Sequence, residues 1–408
     1  MKLRFKIGML ILFSVAAVAQ KQKKVVFVIA DGIPYDVVIS QPMKNLKDLT
    51  KTGVLVESYV GGEKFGYSQT PTISAVGYNS LLTGTWVNKH NVWDNDIVDP
   101  NYNYETVFKL FKTKYPNKKT AIFSTWEDNR TKLLGSSSKA AGNFMPDYYY
   151  DGYELDTIQF PHDKDGHFYN KIDDFVVEKA CSSIKENAPD LSWIYLEYTD
   201  EMGHRHGNSP EFLNAMQKLD LQIGKLNEAV KYREKKFNEE WMVIITTDHG
   251  RDCSGYNHGD QTNRERNTWI ATNYADFNMY GKTQQPSIVD ITPTVLRFLD
   301  TKLPNDQQFE LDGVPMIGKV SAINAFAKVE KNELKITWSP IDGVGIAKIW
   351  IATTNNFKNG QKDNYQLVKE VKVDDWHADI DITNMKSDFY KIVIEMPYNT
   401  LNRWVIVK

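Results

Sequence analysis

The chain has 408 residues, of which 41% are hydrophobic and 25% charged, and its formal net charge at pH 7 is −3. This composition is typical of a globular protein with room for two domains, and it excludes a largely disordered chain. No long basic run occurs, so a structural nucleic-acid partner is not indicated. A small phosphate-bearing substrate stays compatible with the charge, because bound metal ions can supply positive charge locally.

The first 19 residues have the pattern of a secretory signal peptide. Three basic residues between positions 2 and 6 precede an apolar run over 7–18, and Ala17-Val18-Ala19 offers a cleavage site of small residues. The run is short for a membrane span, which makes a membrane anchor the less favoured alternative. We therefore expect a periplasmic or secreted protein without a stable membrane span in the mature chain. The sequence does not define its oligomeric state.

Strand-like and helix-like segments alternate after this leader. Apolar runs at 25–30, 120–124, 193–198 and 242–247 are typical of buried parallel strands. Helical patterns separate them, and one begins with Ser209 as N-cap and Pro210 at the first helical position. The alternation predicts an α/β fold in which helices flank a doubly wound, mostly parallel sheet.

Two segments depart from this alternation. The stretch 126–168 is rich in Gly, Ser, Asp and Tyr, and we expect either a cap over a site or a surface loop without a role. From about residue 320, short alternating runs predict a small all-β sandwich similar to a fibronectin type III domain. The predicted units are a leader over 1–19, an α/β domain over 24–318 and a β-sandwich over 320–408.

Candidate metal ligands follow three of the predicted strands. They are three aspartates and three histidines, namely Asp31, Asp200, His204, Asp248, His249 and His258. The carboxyl ends of the strands form the binding crevice of an open α/β sheet, so we expect these side chains to converge. Mixed ligation by imidazole and carboxylate suits zinc. Each motif alone is typical of a turn, but their order at successive strand ends favours a metal site.

A candidate nucleophile lies at the start of a predicted helix. Ser74 precedes an apolar helical stretch over 75–82 that closes with Thr83-Gly84. A hydroxyl at a helix N-terminus lies at the positive end of the dipole, and coordination to a metal would lower its pKa. The alternative interpretation is an ordinary N-cap serine.

Taken together, the motifs over about residues 24 to 318 resemble the alkaline phosphatase superfamily, and within it the type I phosphodiesterase/nucleotide pyrophosphatase branch. Ser74 lies ten residues before Gly84, the spacing of that superfamily's nucleophile before a Thr-Gly pair. Asn95 lies twenty-one residues after Ser74, where the branch has an Asn that holds a phosphoryl oxygen. The remaining matches are Asp200-x-x-x-His204-x-x-Gly207, Asp248-His249-Gly250 and His258-Gly259.

The resemblance implies an exported phosphohydrolase with two zinc ions, which cleaves phosphodiester or nucleotide pyrophosphate bonds through a phosphoserine intermediate. It implies that one zinc is held by Asp200, His204 and His258. The second, about 4 Å away, would be held by Asp31, Asp248, His249 and the Ser74 oxygen. Asn95 and the Ala75 N–H would bind equatorial phosphoryl oxygens.

Two departures from the branch leave the substrate class open. Ser74 stands where the branch usually has Thr, and residues 75–77 replace its Phe-Pro-Asn. A phosphomonoesterase of alkaline phosphatase type, or a phosphonate hydrolase, is therefore the alternative enzyme. A catalytically inactive, metal-binding surface module is the alternative of another class. The sulfatase motif Cys/Ser-x-Pro-x-Arg is absent from residues 74–78.

The remaining histidines and the two cysteines are expected to lie outside the metal site. We expect His206 to support the site or face solvent, and His90, His162 and His167 to lie at the surface. Cys181 and Cys253 could form a disulfide, but the sequence does not show their proximity.

Overall fold

A computed structural model describes residues 20–407, so the predicted leader lies outside the described residues. Seven strands of the described chain form the main sheet: β1 (Gln22–Ala30), β2 (Val54–Tyr59), β3 (Thr120–Ser124), β4 (Tyr148–Tyr150), β5 (Leu191–Leu196), β6 (Glu239–Thr246) and β7 (Asn267–Thr272). Their order is β2-β7-β6-β1-β5-β3-β4. The five strands from β6 to β4 are parallel, and β7 runs antiparallel to both β2 and β6. The sheet confirms the predicted α/β class.

The helices of the described chain are α1 (Tyr35–Ser40), α2 (Lys44–Thr50), α3 (Ser74–Thr83), α4 (Val87–His90), α5 (Val107–Lys114), α6 (His167–Glu186), α7 (Tyr198–His206), α8 (Pro210–Lys236), α9 (Asn263–Arg266), α10 (Met279–Thr283), α11 (Ile291–Phe298) and α12 (Asn305–Gln308). The predicted cap of α8 is confirmed, because Ser209 Oγ accepts a hydrogen bond from Phe212 N at 3.3 Å. Between residues 20 and 407, no helix is both long and apolar enough to cross a bilayer.

Strand β1 shows why helices cover both faces of the sheet. Its residues from Val25 to Ala30 are fully buried. Val25, Phe27 and Ile29 pack into one core, shared with α3, α5 and α11. Val26, Val28 and Ala30 pack into a second core, shared with α2, α6 and α8. Because successive side chains of a strand point to opposite faces, a continuous apolar run needs a layer on each side.

The C-terminal part consists of two antiparallel sheets, as the sequence predicts for a small all-β sandwich. Its strands are β8 (Ala322–Glu330), β9 (Glu333–Pro340), β10 (Ile346–Ala352), β11 (Gln366–Lys372), β12 (His377–Asp381), β13 (Phe389–Glu395) and β14 (Thr400–Ile406). They form a sheet β11-β10-β13-β14 and a sheet β12-β9-β8. Their inner side chains, among them Ile336, Ile349 and Ile392, belong to the same core as α3 and α11. The boundary near residue 319 stays a prediction.

Candidate metal centre

The carboxyl edge of the parallel sheet brings the predicted ligands together. Asp31 directly follows β1, and Asp248 and His249 lie just beyond the end of β6. Helix α7 begins two residues after β5 and carries Asp200 in its first turn, with His204 one turn further on. Asp173 of α6 fixes the start of α7, since its carboxylate accepts hydrogen bonds from Glu197 N at 3.1 Å and Tyr198 N at 2.9 Å.

Asp200, His204 and His258 form what we call the first cluster. His204 Nε2 lies 3.2 Å from Asp200 Oδ2 and 3.1 Å from His258 Nε2. Each imidazole places its other nitrogen on a backbone carbonyl: His204 Nδ1 is 2.9 Å from Tyr256 O, and His258 Nδ1 is 2.8 Å from Thr72 O. Such carbonyl contacts fix the rings so that both Nε2 atoms face the cluster, as metal-ligating histidines require.

Asp31, Asp248 and His249 form the second cluster. His249 Nε2 lies 3.3 Å from Asp31 Oδ1 and 3.3 Å from Asp248 Oδ2, while its Nδ1 faces Gly250 O at 2.9 Å. The donor atoms of these three residues all lie within 4.8 Å of one another, and so do those of Asp200, His249 and His258. The His249 imidazole therefore lies where the two clusters meet, close to donor atoms of both.

Ser74 lies beside the second cluster. It is the first residue of α3, and the extended residue Ile73 occupies the N-cap position. Ser74 Oγ lies 3.3 Å from His249 Nε2. Its hydroxyl therefore faces the candidate ligands instead of capping the helix, which excludes the N-cap alternative.

Asn95 approaches the start of α3 in a way that differs from the expectation. Its Oδ1 accepts a hydrogen bond from Ala75 N at 3.0 Å, so the two groups that were both expected to hold phosphoryl oxygens bind each other. Asn95 is exposed, and its amide nitrogen donates no hydrogen bond to the described residues. That nitrogen is therefore unoccupied within the part of the chain that the structure describes.

The carboxylates of the second cluster fit a bound cation. Asp31 Oδ2 accepts hydrogen bonds from Tyr78 OH and, at 2.7 Å, from Tyr195 OH, while Asp248 Oδ1 faces Gly32 N at 3.3 Å. The other oxygen of each, Asp31 Oδ1 and Asp248 Oδ2, is buried and has no hydrogen-bond partner among residues 20–407. Unpartnered buried carboxylate oxygens cost several kcal/mol, and a divalent cation between them would satisfy both.

The charges of the site also indicate that the second cluster fits a bound cation. Burial, and then the charge of Asp200, raise the pKa of Asp31 to about 7. Burial and the charge of Asp31 raise the pKa of Asp248 well above its usual range. Burial lowers the pKa of the His249 imidazole well below its usual value, so this ring is neutral and able to ligate. Carboxylates packed this closely repel one another unless a cation lies between them.

Three side chains of the site were not found by sequence reasoning. Tyr78 and Tyr195 bind Asp31, and the fully buried Arg251 binds Asp200. Tyr78 follows Ser74 by one helical turn and Arg251 directly follows Asp248-His249-Gly250. These spacings were the available signal. They did not suffice, because the sequence alone does not show whether a Tyr or Arg beside such a motif points into the site or away from it.

One expectation about the histidines is wrong. His90 is fully buried, not at the surface, because α4 turns it under α3, where its Nε2 lies 3.0 Å from Ser80 Oγ. His162 and His167 are exposed, as expected. Cys181 is half-buried, Cys253 is exposed, and both are free thiols.

The insertion over 126–168 begins at the site. Trp126, just beyond β3, packs edge-on against Tyr78 with ring centroids 6.3 Å apart. The chain then forms a π-helical turn (Asn129–Leu133), the edge strand β4 and a 3₁₀ turn (Tyr153–Leu155). Arg130 of the π-helical turn is joined to Asp151, directly after β4, by an ion pair at 2.7 Å. Whether the segment acts as a cap stays a prediction.

A family model described as type I phosphodiesterase / nucleotide pyrophosphatase matches residues 25–355. The chain belongs to this family. The match spans Ser74, Asn95 and both clusters, and it confirms the resemblance inferred from the sequence. Membership assigns the chain to a family of phosphoric ester hydrolases.

Curated relatives match a limited part of their length. Venom phosphodiesterase CdcPDE of Crotalus durissus collilineatus is 27% identical over 189 residues, which is 45% of this chain and 21% of that protein. Ectonucleotide pyrophosphatase/phosphodiesterase family member 1 of Homo sapiens is 27% identical over 209 residues, 46% of this chain and 20% of that protein. The chain thus spans about a fifth of the length of these relatives.

Solved structures share the fold. Murine ectonucleotide pyrophosphatase/phosphodiesterase 5 aligns with a TM-score of 0.50 and 14% identity, over 69% of this chain and 96% of that chain. The protein Ps i-CgsB, in complex with k-i-k-neocarrahexaose, aligns with a TM-score of 0.53 and 15% identity, over 80% of this chain and 85% of that chain. These likenesses confirm the predicted α/β architecture.

Proposed function

We propose that this chain is an exported hydrolase of phosphodiester or nucleotide pyrophosphate bonds. The observation that carries the proposal is the Ser74 hydroxyl 3.3 Å from His249, beside two buried carboxylate oxygens without partners. A serine oxygen next to a cation site is the arrangement that nucleophilic phosphoryl transfer needs. Family membership and the names of the venom and ectonucleotide phosphodiesterase relatives support the reaction class.

Two zinc ions are the proposed metals. The first cluster, Asp200, His204 and His258, would hold one ion, and the second cluster with Ser74 Oγ would hold the other. Mixed imidazole and carboxylate donors favour zinc over magnesium or calcium, which prefer oxygen ligands. When bound, zinc would offset the carboxylate charges and lower the pKa of the serine hydroxyl and of a water molecule.

The side chains then divide the work. Ser74 attacks phosphorus from the N-terminus of α3, and a phosphoserine forms as the leaving oxygen departs. The free amide nitrogen of Asn95 donates to a non-bridging phosphoryl oxygen. The rings of His249 and His258 stack with their centroids 3.6 Å apart, so the two imidazoles keep each other in place. Water then hydrolyses the phosphoserine and restores the hydroxyl.

The substrate is proposed to be a small phosphate ester such as a nucleotide. A solved complex of an inactive variant of murine ectonucleotide pyrophosphatase/phosphodiesterase 5 contains AMP, and Asn95 matches the branch that acts on diesters. The alternatives are a phosphomonoesterase or phosphonate hydrolase, and an inactive metal-binding module. Rates on nitrophenyl phosphomonoesters and diesters would separate the enzymes, and inactivity of the zinc-loaded chain on both would favour the module.

Replacement of Ser74 tests the mechanism directly. We expect Ser74→Ala to lower kcat by at least about a thousandfold, because the other hydroxyls described at the second cluster, those of Tyr78 and Tyr195, are bound to Asp31 Oδ2. The bound zinc, measured by elemental analysis, should stay near the wild-type amount, since both clusters keep their Asp and His donors. Ser80→Ala is the control: its Oγ, on the same helix, donates to Val76 O at 2.8 Å. Activity retained in Ser74→Ala would assign the nucleophile elsewhere.

Export is part of the proposal and has its own test. The leader over 1–19 has the composition of a signal peptide. Expression of the full chain in a bacterium with a periplasm should yield protein whose N-terminus, determined by sequencing, is Gln20. A chain that keeps residues 1–19 in the cytoplasmic fraction would contradict export without affecting the proposed reaction.

A further inference from the structure

Arg251 is a fully buried cation that reaches across the metal centre. It directly follows Asp248-His249-Gly250, yet its guanidinium contacts Asp200, a residue of the other cluster. A buried charge costs several kcal/mol unless it is paired and hydrogen-bonded. The burial therefore needs an explanation from its contacts.

Those contacts connect three segments of the site. The guanidinium binds Asp200 Oδ1, and it donates to Asp200 O at 2.7 Å and to Gly32 O at 3.0 Å. It also donates to Gly255 O and Tyr256 O, each at 3.3 Å. The turn after β1, helix α7 and the loop that carries His258 are thus held by one side chain. The planar fork of arginine allows its donors to point in several directions.

Two glycines leave the space that this guanidinium occupies. A Cβ added at Gly203 would overlap the guanidinium of Arg251, and one added at Gly32 would overlap both Arg251 and the Asp200 carboxylate. Gly203 lies one residue before His204 on α7. The space around the guanidinium is therefore formed by the same short segments that carry Asp31, Asp200 and His204.

The contacts determine which donor atoms stay available. Because Arg251 binds Asp200 Oδ1, the oxygen that faces His204 Nε2 at 3.2 Å is Oδ2. The Tyr256 carbonyl that accepts from Arg251 is also the carbonyl that orients His204 Nδ1, at 2.9 Å. One side chain therefore orients two of the three residues of the first cluster.

We infer that Arg251 is a positioning residue for the first metal: it makes Asp200 a one-oxygen ligand and fixes the ring of His204. The inference rests on the proposed function only in taking Asp200, His204 and His258 as metal ligands. A lysine could keep the charge at this position but lacks the fork, so the geometry of the site would be lost while its charge is kept.

Cobalt(II) provides a test that does not depend on hydrolysis. Its visible absorption reports the coordination of each ion, and a chelator titration reports how tightly each is held. We expect Arg251→Lys to change the absorption of one of the two bound ions and to lower the affinity for that ion at least about tenfold. This is the usual effect of losing a group that orients a ligand. Gly203→Ala, which keeps Arg251 but displaces its guanidinium, should give the same change.

The matched control is Arg233→Lys. Arg233 is also a buried arginine paired with a carboxylate, with its Nε 2.9 Å from Glu239, but it joins α8 to β6 away from both clusters. The Arg233→Lys substitution should lower the free energy of unfolding and leave the cobalt spectrum unchanged. If the folded Arg251→Lys and Gly203→Ala variants bind both ions with the wild-type spectrum and affinity, Arg251 does not position ligands. Tighter binding after Arg251→Lys would contradict the inference equally.

The outcomes also separate this inference from the proposed function. A wild-type chain that binds two cobalt ions but hydrolyses no phosphate ester would end the proposed function and leave the inference about Arg251 open to the same measurement. A wild-type chain that binds no cobalt would overturn both.

Discussion

Two tyrosine hydroxyls determine how Asp31 faces the centre. Tyr78 and Tyr195 both donate to Asp31 Oδ2, and their rings pack 4.9 Å apart between centroids. The Tyr195 hydroxyl also lies 3.3 Å from Glu197 Oε2. Burial, then the charges of Asp31 and Asp200, raise the pKa of Glu197 well above its usual range. Both causes favour the protonated, neutral form of Glu197.

Loss of the Tyr195 hydroxyl should weaken metal binding as well as the fold. We expect Tyr195→Phe to lower the free energy of unfolding of the metal-free protein by about 1–2 kcal/mol, the cost of one hydrogen bond to a buried carboxylate. It should also release zinc to a chelator about tenfold more readily, because Asp31 is then held by Tyr78 alone. Urea unfolding and chelator competition measure the two effects.

The control for Tyr195 is another buried tyrosine bound to an aspartate. Tyr280 OH donates to Asp290 Oδ2 at 2.5 Å, away from both clusters. Tyr280→Phe should therefore lose similar stability and keep the wild-type metal affinity. If both variants hold zinc equally well, the tyrosines of the centre serve only the fold.

The sequence allowed the candidate metal ligands to be predicted, but not the side chains that hold those ligands in place. Asp and His at the ends of predicted parallel strands are expected to lie close together, because the carboxyl ends of all these strands meet at the same edge of the sheet. Tyr195 and Arg251 act through side-chain directions that are fixed only when α3, α7 and the 251–258 loop are packed together. The predicted surface position of His90 was wrong for the same reason, since its burial depends on how α4 packs under α3.

At the scale of elements, the buried parallel strands were the easiest to predict. β3 matches its predicted bounds, and β1, β5 and β6 differ by a few residues at their ends. The strands β2 and β7 were missed: they form the antiparallel end of the sheet, and β2 is only partly buried. The tyrosines of β4 were assigned to an insertion because their pairing with β3 is a long-range contact.

The inserted segment contains a titratable group that couples its packing to pH. Burial raises the pKa of the Glu154 carboxyl to about 7, although a hydrogen bond from Glu127 N at 2.6 Å opposes the shift. An acid with a higher pKa in the folded state binds protons more readily when folded. Its contribution to stability is therefore present below about pH 4.5, the ordinary value for Glu, and is lost as the pH rises through about 7.

Replacement of this carboxyl should remove that dependence. We expect Glu154→Gln to match the wild-type free energy of unfolding near pH 4.5 and to exceed it by about 1–2 kcal/mol near pH 8, after allowance for partial solvent access. Urea unfolding of the metal-free protein at both pH values measures the difference. Glu178→Gln, an exposed acid on α6, should leave the wild-type slope unchanged. A Glu154→Gln variant that keeps this slope would show that the carboxyl ionises freely.

At the scale of the whole molecule, buried lysines join the α/β part to the sandwich. Lys391 Nζ of β13 lies 2.5 Å from Glu310 Oε1 and 2.8 Å from Asp363 Oδ2. Lys89 Nζ of α4 lies 2.7 Å from Asp312 Oδ1, 2.7 Å from Glu310 O and 3.0 Å from Asn402 Oδ1 of β14. Because the Lys391–Glu310 ion pair, the hydrogen bond from Lys89 to Asn402 and one apolar core cross between the parts, the two parts should unfold together.

Lys89→Met tests this coupling, because it removes the hydrogen bond to Asn402 of the sandwich and leaves the Asp312 carboxylate buried without the lysine that pairs with it. Breaking a buried pair in this way costs about 3–5 kcal/mol, so the free energy of unfolding should fall by that amount in one transition for the whole chain. Calorimetry, with tryptophan fluorescence as a second probe, measures it. Lys44→Met, which removes an exposed lysine 2.9 Å from Asp48, should change stability by less than about 0.5 kcal/mol. A loss below about 1 kcal/mol for Lys89→Met, or a separate transition for the sandwich, would contradict the coupling. A buried carboxylate that tolerates the loss of its paired lysine must already be reached by water.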